Sequence, residues 1–156
     1  MREKFRTVDT TSFLDTLCEV LQTSDMVSLL VSGNSMVPFL VHRRDMVYLS
    51  AVTRPLKKGD LVLYRRDSGA YVLHRIAREE KSGYTMVGDA QTQLEPGIRL
   101  DQIRALVVAA ERKGRRQQPG SFWWEFFEKI WIRIVPLRPL CFKVYGLFKR
   151  PGGKKV

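Results

Sequence analysis

Ser32-Gly33-Asn34-Ser35-Met36-Val37-Pro38-Phe39-Leu40 is the stretch on which the reading of this chain turns. It follows an apolar run, Val27 to Val31, that reads as a buried strand. Four small residues come next, and Gly and Asn accept positive φ, so the backbone can turn sharply here. Met36 and Phe39 can pack beneath the turn while Pro38 stiffens it. Such a turn can hold the Ser35 hydroxyl outward in a fixed pose, as a nucleophile requires. The plainer reading is a strand-to-loop turn capped by serines.

Short apolar runs bounded by turn signals follow. They are Met46–Leu49, Leu61–Tyr64 after Lys58-Gly59-Asp60, Tyr71–Ala77 after Asp67-Ser68-Gly69, Tyr84–Val87 after Lys81-Ser82-Gly83, and Ile103–Ala110. Runs of this length with hairpin-like turns predict an antiparallel, mainly β domain. Asp9 to Leu21 predicts a short amphipathic helix whose apolar face is Phe13, Leu14, Leu17, Val20 and Leu21. Cys18 on that helix reads as a small buried hydrophobe.

Of the 156 residues, 44% are hydrophobic, enough for one domain with a core of its own. The net charge of +11 is unevenly placed. Residues 111–156 carry 12 of the 27 Lys and Arg but only 3 of the 16 acids, and so hold +9 of it. They also hold nine of the 16 aromatics, from Phe122 to Phe148. The expected organisation is a helical segment 1–26, a β domain 27–110, a basic linker 111–120 ending in Pro119-Gly120, and an aromatic and basic amphipathic tail 121–156. Glu125, Glu128, Lys129 and Arg133 interrupt Phe122–Val135, so this tail should lie in a membrane interface rather than span. An anionic membrane surface is the expected partner of the tail, with packing on the β domain as the alternative. No nucleic-acid motif appears. Two distant cysteines suggest neither a disulfide framework nor a metal site. With no apolar leader and no run of about 18 apolar residues, the chain reads as cytoplasmic or peripheral on the inner membrane face. No cofactor is implied, because ligand clusters and phosphate loops are missing.

A serine needs a base, and there are two histidines. His42, in Val41-His42-Arg43-Arg44, reads as an exposed loop residue. His74 lies inside Tyr71-Val72-Leu73-His74-Arg75-Ile76, where a titratable ring needs a polar partner or a cleft. A third group usually orients the imidazole, and Asp89 or Glu95 can supply it. The lysines near this strand, Lys57, Lys58 and Lys81, fall in turns and make poor buried bases.

Ser32-Gly33-Asn34-Ser35-Met36-Val37-Pro38, Lys58-Gly59-Asp60-Leu61-Val62, Val72-Leu73-His74-Arg75-Ile76 and Gly88-Asp89 occur in an order that resembles the S24/S26 peptidases. That superfamily includes signal peptidases and LexA-like self-cleaving repressors. The resemblance covers about residues 27–110. It implies a signal-peptidase/LexA-like β fold and a serine endopeptidase that processes peptide or secreted-protein precursors. Ser35 would be the nucleophile and His74 the base, as in the archaeal and endoplasmic-reticulum type. Glu95 maps best onto the third member, and Asp89 onto a structural Gly-Asp pair. Backbone N–H groups around Asn34 and Ser35, with Ser32 as a further donor, would hold the oxyanion, and Met36 and Pro38 would sit beside the bound peptide. Many relatives carry a hydroxyl two residues before the nucleophile, where this chain has Gly33. The alternatives are a weakly active or inactive peptide-binding module of the same fold, or a LexA-like regulator. The latter lacks room for a DNA-binding helix pair before Val27.

Overall fold

In a computed structural model, which describes residues 10–148, the chain is mainly one antiparallel β-sheet with helices at both ends. Asp9, at the start of the expected helix, and Lys149, Arg150, Lys154 and Lys155, in the expected basic tail, lie outside the described residues. Helix α1 is Thr10–Val20, and the strands are β1 Val27–Leu30, β2 Met46–Ser50, β3 Leu61–Arg65, β4 Tyr71–Glu80, β5 Gly83–Val87, β6 Glu95–Ile98, β7 Ile103–Arg112 and β8 Arg115–Gln117. The sheet order is β1-β2-β7-β3-β4-β5-β6, with β8 paired to the end of β7.

Period-two alternation sends the strand residues into two cores. Leu61 and Leu63 of β3, with Ala105 and Val107 of β7, join a main core closed by Leu14, Leu17 and Leu21. Val62 and Tyr64, with Ile103 and Leu106, face a second core with Ile76, Met86 and Ile98. Of the apolar face expected on α1, Phe13 and Val20 stay exposed. Cys18 is half-buried, and burial pushes its thiol pKa up, which leaves it inert.

One expectation for the C-terminal part is corrected. Residues 111–117 are not a linker: β7 runs on to Arg112, and Lys113 and Gly114, at φ 50° and 73°, turn the chain into β8. Positive φ at both turn residues is what a two-residue I′ hairpin demands. The segment after Gly120 is helical, in several short pieces, and it packs on the β domain, the alternative to a membrane surface. Helix α2, Phe122–Glu125, passes into a wide turn over Phe126–Ile130, and α3 is Arg138–Phe148. Trp124, Phe127 and Trp131 belong to the main core. Phe127 packs 4.9 Å from Phe39, centroid to centroid, beneath the Ser35 turn. Among the described residues no helix is long and apolar enough to cross a membrane.

Candidate functional site

The Ser35 turn leaves β1 and is pinned from several sides. Gly33 sits at φ +89°, a region where a side chain is strained. This accounts for glycine where a hydroxyl residue might be looked for. The Gly33 N–H donates to His42 Nδ1 at 2.8 Å. His42 is thus half-buried and braces the turn, rather than being the exposed loop residue expected. Met36 is buried beneath the turn, 2% exposed, which removes it as a peptide contact. Pro38 remains partly exposed.

The turn docks on the loop that follows β5. The Ser35 carbonyl accepts the Ala90 N–H at 2.9 Å. A Cβ on Gly88 would lie 2.5 Å from the Ser35 carbonyl oxygen, so only glycine lets the two backbones meet here. In β4 and β5, Arg75 pairs with Val87. The ladder ends at that pair, so His74 and Gly88 lie next to it on their two chains. The Ser35 turn and His74 thus lie near the same end of the β4–β5 pair. Ser35 is half-buried, and among the described residues its hydroxyl has no hydrogen-bond partner, His74 included. Ser32 and Asn34 are exposed. Among the described residues the N–H groups of Asn34 and Ser35 donate to no protein acceptor, which leaves both available to an oxyanion.

His74 is 3% exposed and faces the second core. Its Nδ1 lies 3.2 Å from the Tyr64 hydroxyl. That hydroxyl donates to Glu95 Oε2 at 2.8 Å. With its proton committed to Glu95, the Tyr64 oxygen accepts, so Nδ1 carries the ring hydrogen and Nε2 keeps its lone pair. Burial, then Glu95, raise the Tyr64 pKa and keep the phenol protonated. Glu95 is held ionised, its pKa lowered chiefly by Arg66, which grips both carboxylate oxygens at 2.8 Å. Glu95 thus reaches His74 only through Tyr64, a residue that the sequence reading passed over. Its β-strand position two residues after Val62, on the face shared with His74, was the available signal.

Asp89 does not orient His74. It is fully buried, and both its oxygens are taken by Arg75, at 3.0 and 2.9 Å. The third Arg75 nitrogen donates to the Gly59 carbonyl at 2.9 Å, tying the Lys58-Gly59-Asp60 turn to the Gly88-Asp89 loop. The C-terminal segment holds the same loop. Trp131 Nε1 donates to the Asp89 carbonyl at 2.8 Å, and Arg138 Nη1 donates to the carbonyls of Gly88 and Gln91 at 2.7 and 2.8 Å. A cleft of about 650 Å³ opens between Arg66 and residues 90–96, with Glu95 on its wall. Lys57, Lys58 and Lys81 are exposed. Among the described residues no three His, Cys, Asp or Glu are placed to hold a metal ion.

No family model, curated protein or solved structure matches this chain.

Burial lowers the His74 pKa from 6.5 to about 4, against the opposing pull of Glu95. The unfolded chain therefore takes up a proton below pH 6.5 that the folded chain refuses until about pH 4. Stability falls as pH drops through that window, and this group adds no further loss below it. The shift corresponds to about 3 kcal/mol. Urea unfolding between pH 7 and 4 should show a loss of that order in the wild type. In His74→Gln this part of the acid dependence should be gone, and an unchanged slope would show that His74 is not buried in neutral form.

Proposed function

We propose that this chain is a serine hydrolase of the S24/S26 type, acting on peptide or protein precursors. The observation that carries the reading is that two features lie at the same end of the β4–β5 pair: a serine turn with free backbone donors, docked on Gly88, and a neutral histidine whose Nδ1 is engaged by the Tyr64–Glu95 pair. In this reading Ser35 Oγ attacks the scissile carbonyl carbon and its proton passes to His74 Nε2. The carbonyl oxygen becomes an oxyanion between the Asn34 and Ser35 N–H groups. His74 then gives the proton to the leaving amine, and water, deprotonated by the same ring, releases the acyl group. Tyr64 and Glu95 hold the ring and offset the imidazolium charge. The Ser35 hydroxyl must swing to Nε2 when a peptide binds. An extended peptide would pair with β1, an edge of the sheet that leads into the turn. The exposed apolar side chains of 122–148, with Lys129, Arg133 and Lys143 among them, would rest on an anionic membrane surface.

The test is labelling by a serine-reactive fluorophosphonate, with and without anionic vesicles. Wild type should label, Ser35→Ala should not, and His74→Ala should react on the order of 10²–10⁴ times more slowly. Vesicles should raise the wild-type rate. Equal labelling of wild type and Ser35→Ala would overturn the reading. A second reading is a peptide-binding module without activity. The absence of a Ser35–His74 hydrogen bond, together with Gly33 two residues before Ser35, favours it. It predicts no labelling, with peptide binding retained in Ser35→Ala.

A further inference from the structure

Behind Pro38 lies a second cavity of about 370 Å³. Its walls are almost wholly apolar: Trp123, Phe126, Trp131 and Phe142 form most of them, with Cys141 and Tyr145 of α3. The volume is within the range of small-molecule sites. One charged side chain, Arg112, lines it. The Arg112 guanidinium lies 5.1 Å from the centre of the Trp123 ring, and one of its terminal nitrogens donates to the Pro38 carbonyl at 3.2 Å. Its Nε is buried and has no acceptor. Among the described residues Arg112 has no carboxylate partner within ion-pair distance. Asp45, the acid whose field reaches it, is already held by Arg44 and by the N–H groups of Val41 and Lys113. A guanidinium between aromatic walls with an unused buried donor is a costly arrangement unless an anion completes it. Desolvation accordingly lowers its pKa.

The outer surface next to this cavity continues the same chemistry. Cys141, Phe142 and Tyr145 turn one face of α3 to the cavity, and Leu140, Val144, Leu147 and Phe148 leave its other face apolar and exposed. A ligand here needs an aliphatic body for the aromatic walls and an anionic oxygen for Arg112. A peptide segment offers a continuous polar backbone that these walls cannot satisfy.

We propose that the cavity behind Pro38 binds the aliphatic chain of a single-chain anionic amphiphile, with Arg112 holding the anionic head. The site stands on its own geometry and does not depend on the hydrolase reading. The test therefore reads binding, not activity. Intrinsic tryptophan fluorescence of the full chain is titrated with laurate, dodecyl phosphate and dodecanol, each below its aggregation limit. Both anions should saturate and bind at least tenfold more tightly than dodecanol. Arg112→Gln should abolish that preference, and Arg115→Gln, which removes an exposed charge outside the cavity, should keep it. Cys141→Phe, which fills the cavity, should weaken all three ligands at least tenfold. Two further arms identify the source of the chain. Binding to phosphatidylglycerol vesicles that Arg112→Gln abolishes points to a membrane lipid, and binding of the free anions alone points to a soluble ligand. Equal wild-type affinity for laurate and dodecanol, no saturation, or an anion preference that survives in Arg112→Gln would each overturn the proposal, even if Cys141→Phe did not fold.

Discussion

Arg75→Met should lower the unfolding free energy by about 3–5 kcal/mol, the usual consequence of stripping one partner from a buried ion pair. Arg75 is 2% exposed and Asp89 is fully buried. The guanidinium grips both carboxylate oxygens and spends its remaining donor on the Gly59 carbonyl. Met keeps much of the volume and the contact with Phe39, whose ring centre lies 5.4 Å from the guanidinium carbon. What it removes is every donor facing Asp89 from β4. Taking the second charge away as well should restore most of the loss. Arg75→Met with Asp89→Leu should fall within about 1–3 kcal/mol of wild type, the remainder being the unsatisfied Gly59 carbonyl. Urea unfolding monitored by tryptophan fluorescence measures both. A single-variant loss below about 1 kcal/mol would mean that the pair is open to water. The outcome bears on the site because the loop anchored by this pair is the one on which Ser35 docks.

This ion pair illustrates how far the sequence could be read. Val27–Val31, Leu61–Tyr64 and Tyr84–Val87 lie close to the observed strands, because short apolar runs and flanking Gly-Asp or Ser-Gly turns are local signals, although β1, expected to be buried, is a half-exposed edge strand. Glu95–Ile98 was not legible as β6. It contains Pro96 and Gly97, which a strand tolerates here only because it pairs on one side, at the sheet edge. Arg112 to Arg116 read as solvated linker, since a charge run resembles one. Two of those charges instead lie over aromatic rings, Arg112 over Trp123 and Arg116 over Tyr48. Long basic side chains bury their stems in this way without leaving a periodic trace. The same limit hid the Tyr64 bridge. Nothing local in Leu61-Val62-Leu63-Tyr64 says that the hydroxyl will meet a carboxylate 31 residues further on. Asp89 and Glu95 were both visible as acids, but only three-dimensional packing shows that one is consumed by Arg75 and the other reaches His74 through a phenol.

The C-terminal segment, whose packing on the β domain the sequence left as an alternative, leads to the other large expected effect. Arg138 was one cation among many in an amphipathic tail, yet it is fully buried. Its two terminal nitrogens donate to three main-chain carbonyls, those of Gly88, Gln91 and Trp131. Its guanidinium also lies 5.2 Å from the centre of the Trp131 ring. Burial lowers its pKa, as it should for a cation whose direct partners are dipoles rather than a carboxylate. Arg138→Met removes a costly buried charge but leaves three carbonyls without their donor, at roughly 1–3 kcal/mol each. The net loss should be about 3 kcal/mol in urea unfolding. Arg138→Lys should recover less than half, because one ammonium cannot span the three acceptors that the planar fork reaches. The loop 88–91 should loosen before the rest of the domain unfolds. Amide hydrogen exchange should therefore show faster exchange at Ala90, whose N–H is bonded to the Ser35 carbonyl, while the β2–β7 ladder stays protected. Unchanged exchange at Ala90 together with full stability would detach the C-terminal segment from the site. Accelerated exchange there would make residues 131–138 a structural wall of the Ser35 turn, and any partner that lifts this segment from the sheet would also loosen the turn.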